Sequence, residues 1–208
     1  MVLCVLVAGS WEAAGAAALA LLYSHPRTAW KGRPVLGPLV NLVGYGILTP
    51  LAGWRLLGVP STPRSLAALA VVALTMLGLS FAAQVFQEEE DLARGDRTFV
   101  ASWGPRGAVD AVRLCLALST GGALAMAVAG WIPRVCLLGL PVVVALHVHL
   151  AQWRRDPASG GKMAAMRAFW LLVAFGLVLV GAALGDLVWS SMRGMPVSGL
   201  GTAVVPRW

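Results

Sequence analysis

The chain has 208 residues, 59% of them hydrophobic and only 12% charged, with a formal net charge of +7. A mean hydropathy of +0.79 excludes a disordered chain, which would be poor in apolar residues, and argues against a soluble globule, in which about 25% of residues are charged. The basic excess contains no basic stripe interleaved with aromatics, which argues against a nucleic-acid surface, and the continuous apolar runs argue against a barrel, whose strands alternate over about 10 residues.

Six apolar segments follow in chain order, at 2–22, 35–53, 65–86, 109–132, 135–152 and 168–190. A helix crosses the hydrocarbon core in about 20 apolar residues. The expected fold is therefore all-α: a single transmembrane domain of about six helices, with an irregular tail from about Gly194. The first segment has no Lys or Arg before Arg27 and is interrupted by Glu12, so it lacks the basic start of a signal peptide. Loops are expected at 23–34 and 87–108, and a flexible turn at 154–162, which is rich in Gly and charge.

Six spans place both termini on one side. The three longer loops then carry Arg27, Lys31, Arg33, Arg94, Arg97, Arg106, Arg113, Arg154, Arg155, Lys162 and Arg167, against Arg55, Arg64, Arg134, Arg193 and Arg207 opposite. The positive-inside rule puts those loops in the cytoplasm, and a multi-pass protein of the plasma membrane is the expectation. Trp30, Trp54, Trp103, Trp131, Trp153 and Trp189 stand near predicted helix ends, as interfacial aromatic belts do.

Several polar residues lie within the apolar segments. Glu12 and Asp186 are intramembrane acids, which by default point to function; snorkelling towards a helix end or pairing between helices is the competing reading, and a small transporter follows only if both line a water path. His147 and His149 stand two apart and point in different directions on a helix, so packing and helix contacts are expected of them. Cys4, Cys115 and Cys136 are scattered without metal or disulfide spacing. Gly44, Gly46, Gly121 and Gly122 suit close helix packing.

Six of the nine acids fall between Glu88 and Asp110, four of them consecutively in Gln87-Glu88-Glu89-Glu90-Asp91. They stand where the third helix leaves the membrane. Its C-terminal end carries a partial negative charge, which disfavours acids by some tenths to about 1 kcal/mol each. A bound cation removes that cost, and a hard divalent ion takes carboxylate and phosphate oxygens together. Gln87 and Asp91 share a face at i and i+4 if the helix continues. Arg94 and Arg97 follow, with a helix stop at Gly95. Acids for a metal beside arginines for phosphate make a diphosphate site; a solvated charge cluster is the other reading. The loop Tyr23-Ser24-His25-Pro26-Arg27-Thr28-Ala29-Trp30-Lys31-Gly32-Arg33-Pro34 is either a topological anchor or a set of cations facing the acidic loop across the same surface.

At these residues the chain resembles the UbiA-type intramembrane prenyltransferase family. The stretch from Tyr23 and Ser24 through Pro26, Lys31 and Gly32 to Asn41, Tyr45 and Gly46 looks like the segment after that family's fourth helix. Gln87 to Gly104, with Asp91, Gly95, Arg97 and Thr98, looks like its second aspartate-rich motif, D-x-x-x-D, then Gly, then x-R-T, then Gly. Two departures stand out: Gln87 replaces the first Asp of that motif, and the family's N-x-x-x-D-x-x-x-D motif is not in the chain. The chain begins at what looks like the fourth helix of a nine-helix bundle. The resemblance implies a helical bundle that ionises an isoprenyl diphosphate with Mg²⁺ and alkylates a hydrophobic, commonly aromatic, acceptor. It implies Gln87, Glu90 and Asp91 at the metal. It implies Lys31 and Arg97 on the diphosphate beside Asp91, with Arg27 and Arg94 in support, and Asn41 and Tyr45 along the substrate cavity. Asn41, alone in an apolar helix, is equally a helix–helix hydrogen bonder. The alternative function is a non-catalytic relative that binds a lipid diphosphate or partners a complete enzyme.

Overall fold

The computed structural model describes residues 10–56, 58, 60–132 and 134–156, together with 163, 164, 166–168, 170, 171 and 174. Those residues form helices and turns, without a strand among them. Six α-helices run in order: α1 (Trp11–Ser24), α2 (Leu36–Val43), α3 (Thr49–Leu56), α4 (Pro63–Ala93), α5 (Phe99–Val128) and α6 (Leu140–Arg155). Four stretches are long and apolar enough to cross a bilayer: Leu36–Leu56, Pro63–Ala93, Phe99–Val128 and Cys136–Arg155. They match the second to fifth predicted segments. The first segment is described from Ser10 onward. The sixth is described only at Ala168, Trp170, Leu171 and Ala174. Cys4, Asp186 and the tail lie outside the described residues.

Local chemistry sets each boundary. Ser10 caps α1, its Oγ accepting from the Ala13 N–H at 3.2 Å. Pro26 ends it, because the residue before a proline is driven to extended backbone, and His25 has ψ 133°. Between α2 and α3 the chain keeps turning through a π-helical stretch, Gly44–Leu48. Pro50 lies just beyond. A helical proline removes one donor and crowds the preceding turn, and a widened turn is one way for the helix to continue. The Gly44 carbonyl accepts both the Thr49 N–H and its hydroxyl, the latter at 2.8 Å. A capping box at Thr62 and Ser65, with Pro63 in the first turn, starts α4.

The expected loop at 87–108 is corrected. α4 runs on to Ala93, only Arg94–Thr98 form a turn, and α5 begins at Phe99. Gln and Glu are good helix formers, so the acidic run extends the helix. α4 is 31 residues long, about 46 Å, against about 30 Å of hydrocarbon, so its charged end reaches beyond the apolar layer. Gly104 and Pro105, inside that expected loop, make a kink within α5: Gly104 has φ 71° and ψ 167°, and helix resumes at Pro105.

The core is the antiparallel α4–α5 pair with α6 laid across it. Phe81, Val85, Val109, Val112, Leu116, Leu146, Leu150 and Trp153 are buried together. α2 and the π turn pack on the other flank of α4 at very short range: a Cβ on Gly46 would lie 2.8 Å from Ala73 Cα. This close approach holds the basic loop, which precedes α2, beside the acidic end of α4.

Candidate functional site

The two sequence motifs meet at one end of the bundle. The Arg97 N–H donates to the Gly32 carbonyl at 2.9 Å, joining the turn after α4 to the 3-10 turn Trp30–Gly32. Gly32 rests against the Asp96 side chain; a Cβ there would come within 2.9 Å of Asp96 Cγ. Lys31 stands within electrostatic reach of Asp91. The basic loop is itself built firmly. The Thr28 hydroxyl donates to the Leu22 carbonyl at 2.6 Å, and Ala29 is held at φ 43°, a left-handed conformation that a residue with a Cβ adopts only under constraint.

Asp91 is 4% exposed, the most deeply buried of the acids in this run. Its carboxylate bonds Arg94 Nη2. The same guanidinium meets Asp96 through Nε at 3.2 Å and Glu90 through Nη1 at 3.9 Å. The Asp96 N–H also closes onto the Asp91 carbonyl at 2.9 Å. Three acids thus surround one arginine. Its bond to Asp96 and the nearby Asp91 charge raise the Arg94 guanidinium above its ordinary value despite some desolvation, so it is cationic at every working pH. Two helical turns before Asp91, buried Gln84 accepts the Phe99 N–H at 2.9 Å, which fixes where α5 leaves the turn. Phe99 lies between Phe81 and Trp103, with ring centroids at 4.5 and 4.4 Å.

The expected site residues divide into two groups. Lys31, Arg94, Arg97, Glu90 and Asp91 are brought to one face. Gln87 is exposed although it shares the helical face spacing of Asp91. Arg27 is exposed in the basic loop. Asn41 is half-buried and Tyr45 63% exposed; neither lines the two clefts described below. Among the described residues, no group of three or more His, Cys, Asp or Glu is arranged to hold a metal ion. The donors do not match the implied magnesium set: Gln87 is uncharged and exposed, and Glu90 and Asp91 already face Arg94.

Two features escaped sequence reasoning. Asp96, two residues after Arg94, is both a partner of that arginine and the contact surface for Gly32; its proximity in sequence was the available signal. Asp110 anchors Arg154 of α6 and lies 3.5 Å from Arg113, a pairing across 44 positions that no local pattern announces. At the other end of the bundle, buried Glu12 pairs with Arg55 at 3.1 Å, the helix-pairing alternative among the readings of this acid. The histidines act separately, as expected: His147 Nε2 bonds Thr120 at 3.2 Å, and His149 Nε2 bonds the Ala164 carbonyl at 2.8 Å.

Two apolar clefts lie beside α4. One cleft of about 460 Å³ is lined by Gly78, Ala82, Phe86, Val112 and Leu150 among others. A second of about 400 Å³, with Thr75, Ser119 and Thr120 as its polar members, shares Leu116 and Leu146 with the first. Phe86 lies five residues before Asp91, about 7.5 Å along the helix. The chain is matched by no protein-family model, no curated protein and no solved structure.

Proposed function

We propose that this chain is a UbiA-type membrane protein that transfers an isoprenyl group from an isoprenyl diphosphate to a hydrophobic acceptor, aromatic or lipophilic. One observation carries the reading. Motifs about 60 positions apart, chosen from sequence for a basic and an acidic role, are tied by the Arg97–Gly32 hydrogen bond, and α4, whose end carries the acidic motif, also lines an apolar groove that reaches Phe86. In this reading Lys31 and Arg97 hold the diphosphate, because charge-assisted contacts to phosphate oxygens are strong and arginine presents a planar fork to them. Their positive charge favours departure of the diphosphate from C1, where charge develops on the leaving group. The groove takes the isoprenoid chain and keeps water from the allylic cation. The count of Lys and Arg puts this face in the cytoplasm, in the plasma membrane. Magnesium, the cofactor that the resemblance implies, would have to displace Arg94 from Asp91 on its way to the phosphates.

A second reading, a non-catalytic binder of lipid diphosphate, is favoured by Gln87, which brings no charge to the motif. Farnesyl diphosphate and farnesol, titrated against the full chain in nanodiscs, test the shared part. Binding of the diphosphate well above that of the alcohol is expected, and it should weaken in Lys31→Ala and Arg97→Ala. Equal binding of the two ligands would sink both readings. Release of inorganic diphosphate in the presence of an aromatic acceptor separates the enzyme from the binder.

A further inference from the structure

The acidic end of α4 differs from a divalent-metal site in one concrete respect: the position between its carboxylates is filled by a side chain. Arg94 bonds Asp91, meets Asp96 at 3.2 Å and lies 3.9 Å from Glu90. Its backbone is fixed as well, since the Arg94 N–H donates to the Glu90 carbonyl at 3.2 Å. A guanidinium offers five donors in a rigid plane and cannot be deprotonated in proteins. It can therefore satisfy several carboxylate oxygens at once, as a hard cation would. A metal ion entering here would have to expel a permanent positive charge from a buried partner. Lys31, on the 3-10 turn before α2, and Arg97, on the turn after α4, make no salt bridge to an acid among the described residues. Two cations thus face outward while a third neutralises the acids that would otherwise repel an anion.

We infer that Arg94 is the built-in counter-ion of this site, standing in the place of a divalent metal, so that the diphosphate ligand binds without magnesium. The inference rests on the diphosphate reading above and specifies its cofactor requirement. Arg94 is a positioning residue in this scheme: it holds Asp91, Asp96 and Glu90 neutralised, and Lys31 and Arg97 meet the ligand. The acids remain complete beneath it. Removing the guanidinium should therefore expose a carboxylate set able to take a hard cation.

The experiment uses the full chain in nanodiscs, with farnesyl diphosphate as ligand and Mn²⁺ as an EPR-visible cation. For the unaltered protein, the Kd for farnesyl diphosphate should change by less than about threefold between excess EDTA and excess Mg²⁺, well under the tenfold that 1.4 kcal/mol represents. It should also retain no Mn²⁺ signal. Arg94→Gln should bind about tenfold more weakly in EDTA, as loss of a charged hydrogen-bonding group implies, and regain affinity with Mg²⁺ while acquiring bound Mn²⁺. Arg94→Lys keeps the charge and should stay indifferent to EDTA. Binding by the unaltered protein that requires Mg²⁺ would overturn this inference alone, and so would an Arg94→Gln protein that binds no Mn²⁺. Failure of farnesyl diphosphate to bind under either condition would overturn the inference together with the reading beneath it. If Arg94→Gln does not fold, the EDTA and Mn²⁺ comparison on the unaltered protein decides the matter.

Discussion

Gly32→Ala probes the junction of the two motifs directly. The added methyl would sit 2.9 Å from Asp96 Cγ and 3.3 Å from Asp96 Cβ, whereas carbon atoms rest at about 3.5–4.0 Å. Asp96 must swing away by several tenths of an ångström or more, and its 3.2 Å contact with Arg94 is then lost. Overpacking costs about 1–3 kcal/mol in a tight core. Here the obstacle is one short, partly exposed side chain, so the low end, about 1 kcal/mol, is appropriate. Loss of the solvent-exposed Asp96–Arg94 pair adds little. About 1 kcal/mol corresponds to a fall in Tm of about 2–4 °C for a chain of this size. Thermal unfolding in detergent, followed by tryptophan fluorescence, reads it. Asp96→Ala removes the carboxyl group and leaves only Cβ at 3.3 Å, so Gly32→Ala added to Asp96→Ala should cost no more than about 0.5 kcal/mol beyond Asp96→Ala, a non-additivity expected only of residues in contact. Full additivity of the two substitutions would refute the packing of Gly32 on Asp96, and with it the joining of the loops.

Other substitutions address separate parts of the fold. Gly46→Val should lower Tm by more than Gly32→Ala, because its Cβ meets Ala73 backbone at 2.8 Å and backbone cannot step aside; about 2–3 kcal/mol is expected, and an unchanged Tm would contradict the close α2–α4 approach. Arg55→Ala leaves Glu12 buried without a cation, with Glu12 Oε2 already lacking a hydrogen bond, and should cost about 2–3 kcal/mol, while Glu12→Leu with Arg55→Leu should be nearly neutral; equal losses from both would show that the pair itself is not the origin. Gln87→Ala should leave farnesyl diphosphate affinity and Tm within experimental error, since the side chain is exposed; a tenfold loss of affinity would return Gln87 to the ligand site. Asp110→Asn should loosen the C-terminal end of α6, which Asp110 holds through Arg154, detectable as faster amide exchange around Arg154.

Much of the site was readable because its chemistry is local. The acidic run, Arg94, Gly95 and Arg97 sit within one stretch of chain, and the spacing from Asp91 to Arg97 already implies that the helix end and the following turn share a surface. The basic loop was equally visible through its prolines and cations. The same sequence was misread where helix propensity competed with turn signals. Charged residues at 87–93 looked like loop because they cannot lie in hydrocarbon, yet Glu and Gln favour helix once they reach water. Gly104 and Pro105 fall inside the expected loop, yet a glycine at positive φ followed by a proline bends a helix that then resumes.

Composition and periodicity carried the all-α class and the apolar segments, because burial of backbone polar groups in hydrocarbon leaves a continuous apolar chain little choice but helix. Which charges pair was outside their reach. Arg94 could face solvent, a phosphate or the acids beside it, and sequence spacing permits all three. The choice follows from burial: Asp91 is turned into the helix packing, where an unpaired carboxylate is costly, and Arg94 is the cation near enough to neutralise it. Likewise Asp110 and Arg154, 44 positions apart, meet only because α6 packs alongside α5. Long-range pairing depends on helix packing, and helix packing depends on contacts such as Gly46 against Ala73.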